Sequence, residues 1–416
     1  MENHDTRPYH FFHGLVRWAT GAKARRLTGS DVPRTRHAGF TTMNSPTTNT
    51  RLASLDAFRG AVIAGMILVN SPGRWVYTYS QLKHAQWNGW TFADTIFPAF
   101  LFVVGVSMVF SFSRRRECEE PAWRLVLQVF RRTSLIFLLG LLLNVMLDFH
   151  GSNLRIPGVL QRIAACYFVA SLIVLGTGFR GQAIWALGLL ALYWLLMEFY
   201  PVPGIGAGVL EPGRNFASYV DSLLLDGHMW SHYRTWDPEG IISTIPAVSS
   251  TLFGVLTGHF LRSTFSAKAK TAGMLGAGAA LLALGRFCSI WLPINKNIWT
   301  SSYSIFMTGL SLAGLAVFYW LIDVKDRKRW AIPFEIFGTN AITAYMLSMF
   351  LLIAARGIDW TFSDGSQVKI RRLCYDWILI QVGNPKAASL LFGVGLLLVT
   401  FLPLWLMWRR RWFLKA

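Results

Sequence analysis

The stretch HAQWNGWTFADTIFPAFLFVVG, residues 84–105, passes without interruption from a loop of titratable and aromatic side chains into an apolar helix. Thr91 followed three residues later by Asp94 has the spacing of a helix start. Thr91 takes the N-cap and Asp94 the first turn, where free backbone N–H groups and the helix dipole favour a carboxylate. The helix beyond is apolar enough to enter a bilayer, so His84 falls at a membrane surface. A carboxylate fixed near an imidazole selects one ring tautomer and stabilises the imidazolium. The pattern suits a catalytic base and its orienter, and it equally suits an interfacial histidine beside a plain helix cap.

The remainder of the chain has the same membrane character. Of 416 residues, 53% are hydrophobic and only 15% charged, against about 25% charged in a soluble domain. Ten apolar spans follow one another, at about 55–70, 92–113, 130–147, 157–177, 183–200, 241–261, 271–291, 301–322, 332–355 and 386–408. Most are near the ~20 residues a bilayer-crossing helix needs. The predicted fold is therefore all-α, a polytopic membrane protein of about ten transmembrane helices. Residues 1–50 are polar, basic and aperiodic, without the apolar core of a signal peptide. They read as a disordered cytoplasmic tail ahead of a membrane domain over 51–416, with Met43 as a second candidate start. The four cysteines, Cys118, Cys166, Cys288 and Cys374, show no paired spacing, so neither a disulfide framework nor a metal site is expected.

A net charge of +19 would suggest nucleic acid in a soluble protein; in a membrane protein it has to be sorted by side first. The segments on the N-terminal side of the spans carry 18 Lys and Arg, and those on the far side 11. By the positive-inside rule both termini are cytoplasmic, and no nucleic-acid partner is needed to account for the charge. The absence of any Asn-x-Ser/Thr acceptor suits a bacterial inner membrane. The long segment 356–385 is predicted to hide a re-entrant or interfacial helix near Leu373–Val382.

The chemically rich loops all fall on the side opposite the termini. They are 71–91 with His84, 148–158 with Asn153 and Arg155, 201–240 with Asp237-Pro-Glu239-Gly, and 292–300 with Asn295, Lys296, Asn297 and Trp299. The connectors on the other side hold little beyond Arg and Lys, so one site assembled from several outer loops is expected. Between Arg59 and Arg74 lie 14 residues, only about 21 Å of helix against a ~30 Å hydrocarbon core. Either Asp56 and Arg59 then lie within membrane depth, where their three-residue spacing lets them pair on one helix face, or Asn70-Ser-Pro-Gly does. Asn70, just before Ser71-Pro72-Gly73, lies on the His84 side, as an oxyanion donor or a helix cap. Arg162 and Arg286 also fall inside spans and need anionic or carbonyl partners, with Glu198, Asp237 and Glu239 as candidates. No Walker motif, GxGxxG, HExxH or GxSxG stands in a suitable context.

Several blocks together carry a resemblance. They are Arg51-Leu-Ala-Ser-Leu-Asp56-Ala-Phe-Arg59-Gly60, Val69-Asn70, Lys83-His84-Ala-Gln-Trp87-Asn88-Gly89, Asp94 with Phe97-Pro98, Leu154-Arg155-Ile-Pro157-Gly158-Val-Leu-Gln161-Arg162, Asp237-Pro-Glu239-Gly240, and Pro293-Ile-Asn295-Lys296-Asn297-Ile-Trp299-Thr300-Ser-Ser-Tyr303. Over roughly residues 51–410 the chain resembles the heparan-α-glucosaminide N-acetyltransferase family of transmembrane acetyltransferases. The large N-terminal luminal domain of the animal enzyme is missing, as expected of a bacterial member. The resemblance implies transfer of an acetyl group from cytoplasmic acetyl-CoA to an amino-sugar or glycan acceptor of glucosamine type on the periplasmic side. The family's active-site histidine falls on His84, and the asparagine ending the first span falls on Asn70. His84 either deprotonates the acceptor or takes the acetyl group itself, and Asn70, with Asn88 or Lys296, stabilises the oxyanion. Arg59, Arg155, Arg162, Asn295 and Lys296 are then expected to serve the donor, and Asn88, Asp237, Glu239 and Trp299 the acceptor. The residues leave open whether the chain forms a homodimer. The competing reading is an amino-sugar or N-acetylglucosamine permease, although no internal repeat relates residues 51–230 to 231–410 as transporters commonly require. A non-catalytic membrane scaffold is a third.

Overall fold

Long apolar runs that must satisfy every backbone group internally become helices, and helices dominate the computed structural model. It describes residues 52–117, 120–147, 154–363 and 365–413. The tail over 1–50 with Met43, and also Cys118 and Asn153, lie outside the described residues. In chain order the helices are α1 (Ala53–Asn70), α2 (Phe92–Glu117), α3 (Ala122–Leu147), α4 (Val159–Gly176), α5 (Phe179–Phe199), the short α6 (Phe216–Leu224), α7 (Thr244–Arg262), α8 (Ala267–Cys288) and α9 (Ser301–Tyr319). They continue with α10 (Ile332–Thr339), α11 (Ala341–Gly357), α12 (Ile370–Val382) and α13 (Pro385–Arg409). A hairpin of β1 (Asp359–Thr361) and β2 (Gln367–Lys369) precedes α12. Among the described residues nine helices are long and apolar enough to cross a membrane, and α10 with α11 supply a tenth candidate. The chain is an all-α polytopic membrane protein.

The expected single span over 332–355 needs correction. It is broken at Asn340, where the backbone leaves the helical region, and the two halves bend by 77°. The break follows from close packing: a Cβ at Gly338 would strike the Asp56 carbonyl, and one at Gly60 would strike that of Phe334. α10 is thereby pressed along α1, and the chain has to turn before α11 can run on. α3 also begins at Ala122 rather than near 130, because Arg124, Arg131 and Arg132 are good helix formers as well as charges. The segment 356–385 does contain a separate helix, α12.

α1, α2, α4 and α7 form the interior, while α3, α5, α8 and α13 turn much of their apolar surface outward, as helices facing lipid do. α2 and α7 meet at backbone distance through Gly105 against the Thr251 carbonyl and Gly254 against that of Phe102, the small-residue packing that close helix crossings in membranes require. This holds α2, and with it Asp94 at its start, in the centre of the bundle.

Candidate active site

The loop between α1 and α2 folds back on the first turn of α2. Asp94 is fully buried and has its carboxylate nearly saturated. Oδ1 accepts from His84 Nδ1 at 2.7 Å. Oδ2 accepts from the backbone N–H groups of Ala85 and Thr91, each at 3.0 Å, and lies 3.1 Å from the Thr91 hydroxyl. Asp94 thus takes the Thr91 N–H at the helix start, while its own N–H donates to the Thr91 backbone carbonyl at 3.0 Å rather than to the hydroxyl, which donates to Lys83 O at 2.6 Å; the same carboxylate fixes the imidazole. With Nδ1 donating, Nε2 is left as the unprotonated ring nitrogen.

The loop after α8 completes the charge arrangement. Its backbone pairs with the first loop through Gly89 and Asn295, with Gly89 N–H donating to Ile294 O at 2.7 Å. Gly89 has a φ of 99°, in the region open chiefly to glycine. Asn295 donates to Asn88 Oδ1 at 3.1 Å, and Tyr303 at the start of α9 donates to the Asp94 carbonyl at 2.6 Å. This brings Lys296 Nζ to 3.9 Å from Asp94 Oδ1. The Lys296 charge, and then burial, hold the His84 ring below its ordinary pKa although Asp94 pulls the other way. Burial lowers Lys296 itself, against the pull of Asp94 and Glu239.

Arg155 anchors the opposite wall. Its guanidinium grips Asp237 with two bonds, of 2.9 and 2.7 Å, and reaches Glu239 at 2.6 Å. The remaining Asp237 valences are taken by the N–H groups of Trp230 and Glu239, each at 2.9 Å. Burial would raise the Glu239 carboxyl, but Arg155, Arg162 and Lys296 outweigh it and keep the pKa below the ordinary value.

These walls enclose a cavity of about 1150 Å³ and a smaller annex of about 200 Å³, both lined by Asn70, His84, Arg155, Val159 and Trp230. The annex adds Lys296 and Glu239. The larger space extends along Gly140, Asn144, Tyr345, Met349 and Arg356 of α3 and α11. Asn70 ends α1, and its carboxamide makes no hydrogen bond to a described residue, so it is available to a ligand.

Of the residues expected to form the site, His84, Asn70, Asp94, Arg155, Lys296 and Glu239 come together. The others do not reach the cavity. Arg59 pairs with Asp56 at 2.9 Å and bonds Gly338 O and Ser107; eleven residues before Asn70, it lies about 16 Å down the helix. Arg162 is 2% exposed, donates to Gly240 O and the Ser243 hydroxyl, and rests 5.1 Å above the Trp299 ring. Trp299, expected to touch the acceptor, is instead 1% exposed and packed edge-on against Phe97 of α2 and Tyr303 of α9, with its indole N–H 3.4 Å from the Ser250 hydroxyl. Asn295, Asn88 and Asp237 are taken up in holding loops together. Arg286 lies exposed in the last turn of α8, bonded to Ser289 rather than to a buried carboxylate. Trp230 and Tyr345 line the cavity but were not among the expected site residues; an aromatic in a long loop or a span carries no local signal of such a role.

The profile for heparan-α-glucosaminide N-acetyltransferase, catalytic, matches residues 51–292 of this chain. The human heparan-α-glucosaminide N-acetyltransferase is 32% identical over 356 aligned positions, covering 71% of this chain and 52% of the human protein. The mouse protein of that name is 30% identical, with 71% and 53% covered. The chain spans about half the length of these curated relatives. The matched region holds the His84–Asp94 pair, Asn70 and the whole Arg155–Asp237–Glu239 cluster, and the chain belongs to the heparan-α-glucosaminide N-acetyltransferase family.

Proposed function

We propose that the chain is a transmembrane acetyltransferase that takes the acetyl group of acetyl-CoA from the cytoplasmic side and passes it to the amine of a glucosamine-type acceptor on the His84 side, in a bacterial inner membrane. The observation that carries this reading is a carboxylate-oriented imidazole with Nε2 unprotonated, beside the unbonded Asn70 carboxamide, on a cavity of about 1150 Å³. In direct transfer His84 Nε2 removes a proton from the acceptor ammonium. Having released that proton to water, Nε2 takes a second one from the nitrogen as the amine attacks the thioester carbonyl; the C–N bond forms, the C–S bond breaks, and the CoA thiolate recovers this second proton from the imidazolium. Asp94 stabilises that imidazolium, while Asn70 and the Lys296 ammonium offset the charge on the tetrahedral oxygen. An acetyl-imidazole formed on Nε2 would use the same groups in two steps.

The charge distribution supports cytoplasmic termini, with ten crossings if α10 and α11 form one span. A permease finds less support, because among the described residues only one candidate span is broken and it has no counterpart in the first half. The test is reconstitution of purified protein with labelled acetyl-CoA and glucosamine. Labelled N-acetylglucosamine should form with wild type and not with His84→Ala. Sugar flux without acetylation, or unimpaired transfer by His84→Ala, would overturn the reading.

A further inference from the structure

A second cavity, of about 230 Å³, opens beside the first and is lined by Arg74, Arg356, Lys369, Arg371, Arg372 and Tyr375 around Gly73. Five cations face it. Among the described residues two carboxylates answer them: Asp376, 3.8 Å from Arg74 and 3.4 Å from Arg372, and Asp359, 2.6 Å from Lys369. Three positive charges are left over. Arg371 donates to Pro72 O at 2.9 Å, yet its Nε is buried without a hydrogen-bond partner among the described residues. Arg356 makes no hydrogen bond or ion pair to a described residue. Burial, and then the Arg356 charge, lower the pKa of the Arg371 guanidinium.

Chain folding holds these cations together in advance of any ligand. Gly73 N–H donates to Ser389 O at 3.1 Å, and Ile370 N–H to Ile358 O at 3.1 Å. Tyr375 is buried under Arg74, whose guanidinium lies 5.2 Å from the ring centre. A Cβ at Gly73 would strike that ring, so the close approach needs glycine. Planar guanidinium groups converging on one space match a tetrahedral oxyanion, which each of them can bind through paired, charge-assisted N–H bonds.

We propose that this cavity is an oxyanion site for a phosphate-class group at the mouth of the acceptor cavity. Arg356 lines both spaces. Arg74 follows Asn70 by four residues, which limits their Cα separation to roughly 14 Å. A phosphate one or two sugar units from the reacting amine spans that interval, and so does a lipid headgroup at the cavity mouth. The assignment to the acceptor rests on the acetyltransferase reading; the assignment of an oxyanion does not.

The test uses Arg356→Gln/Arg372→Gln, which breaks no internal bond of Arg356 and one long ion pair of Arg372. Inorganic phosphate should raise the melting temperature of detergent-purified wild type and not that of the variant. With labelled acetyl-CoA, wild type should prefer glucosamine 6-phosphate over glucosamine in kcat/KM. That preference should fall about 10- to 100-fold in the variant, the scale of one or two charge-assisted hydrogen bonds. If instead the variant keeps the preference but copurifies with less phosphatidylglycerol from mixed phosphatidylcholine vesicles, the oxyanion belongs to a headgroup. Equal phosphate stabilisation, equal preference and equal lipid content would overturn the proposal. Failure of wild type to acetylate either sugar would sink the acetyltransferase reading alone, since phosphate stabilisation still judges the cavity.

Discussion

Two ionic assemblies face each other across the large cavity, and they are held in opposite ways. Asp94 draws the hydrogen-bond donors to its carboxylate from its own neighbourhood, residues 84–91, and directs its charge at a ring that keeps one nitrogen free. Asp237 draws on Arg155, 82 positions away, and every oxygen valence in that pair is filled. The first arrangement can exchange a proton. The second cannot without leaving a buried charge uncompensated, so it serves as a wall that fixes where Glu239 and Trp230 stand. A saturated buried ion pair indicates positioning, whereas a carboxylate that ends on a half-free imidazole indicates chemistry.

The largest expected effect separates the two assemblies by rate. Asp94→Asn keeps the shape of the cap but removes the charge that sets the His84 tautomer and stabilises its protonated form. Turnover should drop by up to roughly 10⁴-fold, the scale of losing the carboxylate that orients a catalytic imidazole, with the melting temperature changed far less than the rate. A turnover within tenfold of wild type would make Asp94 a helix cap only.

Arg155→Leu should do the reverse. It strands Asp237 and Glu239 as buried carboxylates, an imbalance that costs about 3–5 kcal/mol. A large fall in melting temperature and poor recovery of folded protein are expected. Thermal unfolding followed by intrinsic fluorescence reads this, and an unchanged midpoint would show that the cluster is not structural.

The same contrast explains what could be read from the chain. The spans were legible because twenty apolar residues in a row have few alternatives. His84 and Asp94 were legible because ten positions and a capping pattern bring them together, and Asn70 because the first span is short. The pairing of Arg155 with Asp237 and Glu239 was not, since the loops that meet there are set by how α4 and α7 pack. Nor was the burial of Trp299, whose slot exists only once α2 and α9 are side by side. The break at Asn340 depends on Gly60 and Gly338 meeting across 278 positions, and the basic cavity on Arg74 meeting the start of α12.

Lys296 sits between the two assemblies, and pH separates its influence from theirs. Its charge and burial hold the His84 pKa below the ordinary 6.5. In the proposed mechanism transfer needs the neutral ring, so activity should be complete above that lowered pKa and lost as the pH falls through it. Lys296→Met removes the largest cause of the lowering while Asp94 still favours the cation, so the His84 pKa rises and the acid limb moves to higher pH. A kcat/KM profile against pH shows the shift directly. An acid limb that stays in place would mean that another group than His84 sets it.

The smallest effect probes how much of the His84 assembly is cap and how much is charge. Thr91→Val keeps the β-branched shape and the backbone N–H that bonds Asp94, but removes the hydroxyl lying 3.1 Å from Asp94 Oδ2 and 2.6 Å from Lys83 O. Loss of that hydroxyl's hydrogen bond to the Lys83 carbonyl costs about 1 kcal/mol of stability. The carboxylate keeps its charge, its bond to His84 Nδ1 and two backbone donors, so the ring stays in the same tautomer. Turnover should therefore fall less than tenfold while the melting temperature drops measurably, the opposite proportion from Asp94→Asn. If Thr91→Val instead costs as much rate as Asp94→Asn, the hydroxyl's hold on the Lys83 carbonyl must be what places His84. The segment 83–91 would then be a strap whose geometry is as necessary as the carboxylate's charge.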